Sequence, residues 1–291
     1  MKWLVLGLGL GLGLLAGCSS SRGVIQDGGG GGGDGGGGGG QAGCVPGEFV
    51  GCYTVYAHAD HVLYHIDLTN KMLVEVGPFN APQVSGKEDV ITDLAVAPDN
   101  TIYVISKTTL YTADAGDGHV TLVGPVTACG MSAVALTFEN DGTLYAADFS
   151  GSFCKIDLST KPPTVTEIAK LSGGLAIAGD LVAVGDGTMY GTAYKLSDSA
   201  TQNNNLLVKI DPKTGQVTQT VGATGFPKMF GVAFAMGQVF GFTHDGSGDA
   251  VTIDPKTGQG TPYNTFTDPT TGLGISFAGA GVNSMVSPTI M

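Results

Sequence analysis

Histidine is scarce in this chain, five copies in 291 residues, yet three of them crowd into AHADHVLYH as His58, His61 and His65, with Asp60 among them. Two imidazoles and a carboxylate at this spacing are the donor types of a divalent transition-metal site. The stretch lies between two apolar runs, however, so the simpler expectation is a solvated turn. A second group, THDGSGDA, sets His244, Asp245 and Asp249 around two glycines and could offer oxygen atoms to calcium. It lacks the carboxylate ladder and distal Glu of an EF-hand loop, and a polar interstrand turn is expected there as well. The third candidate is Asp93, at the head of the small apolar run DLAVAP. A carboxylate there could serve as an acid, a base or a metal ligand if other polar groups converged on it. The starts of the comparable runs offer Ser132, Gly174, Phe230 and Gly272, so Asp93 stands alone as a catalytic candidate. No cofactor is expected beyond the option of a divalent cation such as calcium.

The elements that must position these residues announce themselves by repetition. IDPKTGQ occurs twice, at 210–216 and 253–259, and each copy closes a short apolar run ending at Asp211 or Asp254. Similar runs end at Asp67, Asp114 and Asp157, giving a spacing of roughly 45 residues, the period of propeller blades. Within each unit, proline presets one turn torsion and glycine supplies the positive φ that closes a hairpin. A second marker alternates with the first: APDNTIYVIS, ENDGTLYAAD, GDGTMYGTA and AMGQVFGFT each follow a small, apolar strand suited to a crowded propeller axis. One unit therefore reads as four strands, and Tyr103, Tyr145 and Tyr190 read as packing residues of the repeat.

The expected fold is an all-β, five-bladed propeller over residues 48–291. Four units run from about 92 to 264. TGLGISFAGAG at 271–281 supplies a fifth inner strand, and the N-terminal EFVGCYTVYAHADHVLYHIDLTNKMLVEVG supplies its outer strands, so that both ends of the chain share one blade. The one long interval holds a polar insertion at Lys195–Asn205, expected to be a recognition loop on a rigid scaffold. The blade motifs resemble those of NHL-like, SMP-30-like and quinoprotein-like propellers. That resemblance implies the fold, and it keeps a metal-dependent hydrolase or lactonase of the SMP-30 type as the alternative to a binding or scaffold module.

The leader gives the expected address. MKWLVLGLGLGLGLLAGCSSS has one basic residue, an apolar run too short to span a bilayer, and then Leu15-Ala16-Gly17-Cys18, which resembles the lipobox of bacterial lipoproteins. The resemblance implies a signal peptide at 1–17, lipidation of Cys18, and a membrane partner through that anchor. Ser19, in place of the Asp that often marks inner-membrane retention, points to the outer membrane, with the domain facing the periplasm or the surface. Residues 18–47 form a tether dominated by glycine from 28 to 40. Such a tract buries nothing and loses the most entropy on ordering.

The formal net charge of −12 excludes nucleic acid as a partner, because no basic patch offsets it. A protein or envelope partner is expected instead. The single tryptophan, Trp3, lies in the leader, which excludes indole-based sugar stacking in the folded part. With Cys18 assigned to lipid, four cysteines remain, and four allow three pairings. The repeat places Cys129 before an inner strand and Cys154 on the third strand of the same unit, so these two are expected to bond, leaving Cys44 with Cys52.

Overall fold

The repeated heptapeptide makes the same turn twice. In both copies the aspartate side chain receives the N–H two residues on, Lys213 at 2.9 Å or Lys256 at 2.8 Å, and the hydroxyl of Thr214 or Thr257. Gly215 and Gly258 then take positive φ, 66° and 80°, and donate back to the carbonyls of Asp211 and Asp254. Each copy joins the third strand of a blade to its outer strand.

The structure is a computed structural model describing residues 54–126, 129, 132–198 and 205–283. All of these fall in the unit Gln41–Met291. Five four-stranded antiparallel sheets form the blades of a propeller. Blade 2 runs through Ile91–Val96, Ile102–Ser106, Thr109–Ala113 and Val120–Pro125 from the axis outward, and blade 3 through Ala133–Phe138, Leu144–Asp148, Ser152–Asp157 and Thr164–Lys170. Blade 4 comprises Leu175–Ala183, Met189–Lys195, Leu206–Asp211 and Gln216–Ala223, and blade 5 Met229–Ala235, Gln238–Thr243, Asp249–Ile253 and Gly260–Thr265. Blade 1 is the shared one: its inner strand, Gly279–Gly281, is C-terminal, and Thr54–His58, Val62–Asp67 and Met72–Pro78 follow it outward. This closure leaves no blade with an exposed inner edge. The five inner strands contact one another in a closed circle. Helical structure among the described residues is limited to two three-residue 3-10 turns.

Burial follows position in the blade. Inner and second strands are almost wholly buried, whereas outer strands are mostly exposed or half-buried, as in Met72–Pro78 and Thr164–Lys170. Aromatics fill the space between sheets: Tyr145 stacks on Phe153 at 5.4 Å, and Tyr103 meets Phe138 edge-on at 5.2 Å. Cys129 is bonded to Cys154, tying the connection before blade 3 to that blade's third strand. Cys44, Cys52 and Cys18 lie outside the described residues.

The antiparallel order gives the ring two distinct ends. Inner strands begin at one end, which we term the mouth; the connections between blades and those from second to third strand lie there too. The heptapeptide turns and the DGT turns lie at the other end.

Candidate functional site

Asp93 and Asp180, on the inner strands of blades 2 and 4, are both completely buried. Asp93 Oδ2 accepts the N–H of Leu136 in blade 3 at 2.5 Å. Asp180 Oδ1 accepts the N–H of Leu181, and its Oδ2 accepts those of Val232 in blade 5 at 2.5 Å and Ala280 in blade 1 at 3.4 Å. Together the two carboxyls engage the inner strands of all five blades. Main-chain bulges lie at the same level, since the ladder slips at Ile91/Asp93, Ala133/Ala135, Ile177/Leu181 and Met229/Gly231. A bulge releases an N–H from the ladder, and here released groups turn toward the axis.

The two side chains also lie close enough for the charge of Asp180 to act on Asp93. Two carboxylates in one dry site cannot both ionise. Burial raises both carboxyls above the usual range, but both Asp180 oxygens receive N–H groups whereas Asp93 Oδ1 receives none, which assigns the proton of the pair to Asp93. Burial, reinforced by the charge of Asp180, holds Asp93 well above the usual carboxylate range.

His58, the last residue of the second strand in blade 1, is buried beside this pair. Its Nδ1 lies 2.7 Å from the carbonyl of Ala59, so the ring is neutral with the proton on Nδ1. Burial lowers its pKa to about 4, the bond to Ala59 opposes the shift, and His244 adds to it. Nε2 has no partner. A Cβ at Gly279 would collide with Asp93 Oδ1 and stand 2.6 Å from His58 Nε2, so both atoms flank one small space that only glycine leaves open.

Toward the mouth, a cavity of about 150 Å³ opens, its floor formed by the inner strands, with Thr92 and Phe230 near their starts and Gly179 from the bulge of blade 4. Its walls come from the connections between second and third strands: Asp60, Lys107, Phe149 and His244 from blades 1, 2, 3 and 5. The equivalent connection of blade 4 is the insertion, of which Leu196–Asp198 and Asn205 are described. Phe230 stacks on His244 at 4.8 Å, and Phe149 lies 6.4 Å from Phe230, giving one continuous aromatic wall. Ile91 donates to the Asp60 carbonyl, Ala133 to the Lys107 carbonyl, and Tyr194 Oη to the Phe149 carbonyl at 2.6 Å, which fixes three of the wall segments to neighbouring strands.

Several sequence expectations need correction here. Asp93 does not stand alone, because the irregular bulge of blade 4 brings Asp180 to it; the inner strand there turns to the axis well past Gly174. His58 is not on a solvated turn but buried at the axis. Asp60 is exposed at the mouth, and His61 pairs with Glu88 at 3.5 Å, so the three do not converge. His65 lies within the third strand of blade 1. In the second group, His244 joins the aromatic wall, Asp245 caps its own turn by accepting from Ser247 and Thr243, and Asp249 accepts from Thr265. Among the described residues no three His, Cys, Asp or Glu side chains are spaced to hold a metal ion.

Three comparisons bear on this arrangement. A family model described as a repeat of unknown function (DUF6923) matches residues 94–272. None of the curated proteins matches the sequence. Among solved structures, a protein of unknown function from Bacteroides thetaiotaomicron VPI-5482 superposes with a TM-score of 0.51 at 17% identity, over 78% of this chain and 59% of its own. The Dos1 propeller (TM-score 0.42, 15% identity, 71% and 56% covered) and a calcium-binding protein, regucalcin, from Agrobacterium tumefaciens str. C58 (0.41, 16%, 70% and 67%) are more distant. The chain thus spans about 59% of the length of the first of these, and the likeness is one of fold.

Proposed function

The chain belongs to this DUF6923 repeat family, and on that premise we propose that it is an exported, lipid-anchored propeller that binds a protein or envelope component at its axial mouth. The observation that carries this reading is the use made of Asp93 and Asp180. Three of their four oxygens are taken by main-chain N–H groups of the blades and both side chains are completely buried, so the carboxyls fasten the ring and are sealed from the mouth. The mouth above them is the opposite: an open cavity with aromatic walls and unpaired charges. Exposed apolar side chains gather in the connections at that end, at Val84, Val90, Leu196 and Leu273. Rigid scaffolds commonly carry recognition in such loops.

The address rests on the leader. Lipidation at Cys18 would hold the domain at the outer membrane on a glycine tether whose reach is on the order of 25 Å. Labelled palmitate should enter the wild-type chain and not Cys18→Ser. A metal-dependent hydrolase would need several oxygen donors facing an accessible ion, and the two axial carboxyls are completely buried with three of their four oxygens bonded to the main chain.

The binding reading is tested by retention of an envelope component from detergent extracts on the immobilised full chain. Shortening the insertion by removing residues 199–204, or replacing Phe149 by Ala, should abolish retention while leaving the melting temperature within a few degrees. Unchanged retention in both variants would refute the mouth. Loss of a measurable lactone or ester hydrolysis in Asp93→Ala, with retention intact, would install the hydrolase in its place.

A further inference from the structure

Resting on the mouth as the binding site, we infer that its ligand is a free α-amino acid with an aromatic or large apolar side chain, held as a zwitterion. The cavity is divided by character. Blades 3 and 5 contribute the wall of Phe149, Phe230 and His244, and blades 1 and 2 contribute Asp60 and Lys107. Both ionic residues are exposed, and neither forms an ion pair within 4 Å with any described residue, including each other. Their backbones, in contrast, are fixed by the bonds from Ile91 and Ala133.

One carboxylate and one ammonium from adjacent blades present a complementary pair to a ligand carrying both charges close together. The α-carboxylate would meet Lys107 and the α-ammonium Asp60. Size agrees with this assignment, because a cavity of about 150 Å³ holds one six-membered ring. Aromatic surfaces favour a ring at 4.5–7 Å between centroids, offset or edge-on. His244 adds a polar edge: its Nδ1 lies 3.1 Å from the Phe277 carbonyl, which makes Nδ1 the donor there and leaves Nε2 as an acceptor for a second ammonium hydrogen. A simple anion would meet Lys107 but suffer Asp60, and a simple cation the reverse. Only the zwitterion satisfies both.

The test is a titration of the full chain in detergent with four compounds: L-phenylalanine, 3-phenylpropanoate, 2-phenylethylamine and L-alanine. Calorimetry should show L-phenylalanine binding about tenfold or more tightly than either single-charge compound, and L-alanine weakest. Lys107→Gln should equalise L-phenylalanine and 2-phenylethylamine, and Asp60→Asn should equalise L-phenylalanine and 3-phenylpropanoate. Equal affinity of the three ring compounds for the wild-type chain, or a preference that survives both substitutions, overturns the zwitterion. If no compound binds while Phe149→Ala still abolishes retention of the envelope component, the ligand class fails and the mouth stands. If the four compounds and both variants behave as expected while retention ignores every mouth variant, the amino-acid site stands and the envelope-binding reading fails.

Discussion

Asp93 and Asp180 lie buried at the centre of the ring, and between them their carboxyls tie the inner strands of all five blades together. Neighbouring sheets also meet through apolar side chains and through single bonds such as Thr92 to the Ala133 carbonyl and Thr192 to the Met229 carbonyl, and the two aspartates add a polar lock common to the whole ring.

The lock has a pH signature. Asp93 is raised in the folded state, so its contribution to stability is complete below the unfolded carboxylate value of about 4 and declines as pH rises toward the folded value. Asp93→Asn keeps a neutral donor in place of the protonated carboxyl. Between pH 7 and 9, above the range in which His58 acts, its midpoint in urea should fall less than that of the wild-type chain. Parallel slopes for the two proteins would refute the assignment of the proton to Asp93.

His58 acts in the opposite direction. Its pKa falls from 6.5 to about 4 on folding, so the unfolded chain takes up a proton that the folded one refuses. Stability should therefore drop by about 3 kcal/mol between pH 6.5 and pH 4 and change no further from this cause below pH 4. Denaturant titrations of His58→Gln should lack that loss. An acid limb of full size in the variant would place its origin elsewhere.

The bond between Cys129 and Cys154 closes a 25-residue separation. On chain-entropy grounds Cys154→Ala should cost roughly 3 kcal/mol. Adding reductant to the wild-type chain should lower its melting temperature to near that of the variant. A variant as stable as the oxidised protein would show that the bridge constrains nothing.

Two glycines with the same backbone twist should behave differently. Gly187 has φ 85° and open space where a Cβ would stand, whereas Gly258, at φ 80°, would place a Cβ 2.6 Å from the carbonyl oxygen of Gly222 in the neighbouring blade. Ala at 187 should cost only the left-handed strain of about 1 kcal/mol. Ala at 258 should cost at least twice that, as read from denaturation midpoints. Equal losses would mean that the heptapeptide turn does not wedge against the adjacent blade.

The blades were legible because their signals are local. Alternation, the Asp–Pro–Lys–Thr–Gly turn and the period reveal each hairpin, and the leftover strands at 54–78 and 279–281 reveal the shared blade. The axis was less legible because its chemistry is non-local. Asp180 does carry a signal: Asp93-Leu94-Ala95-Val96 and Asp180-Leu181-Val182-Ala183 share the pattern of aspartate before an inner apolar run. What hid it was the bulge between Ile177 and Leu181, which makes the strand appear to begin too early. The sequence around His58 has the look of a turn because the strand that buries it, Gly279–Gly281, lies far along the chain. Lys107 and Phe149 carry no motif at all, and only the ring brings their connections to one mouth.

Photo-cross-linking in cells tests the mouth most directly. A photoreactive residue is placed in the full chain at Lys107, beside the cavity, or at Asp141, exposed in a turn at the other end of the ring. A discrete adduct from position 107 and none from 141 is the expected result. Adducts of equal yield from both ends, or from 141 alone, would contradict recognition at the mouth.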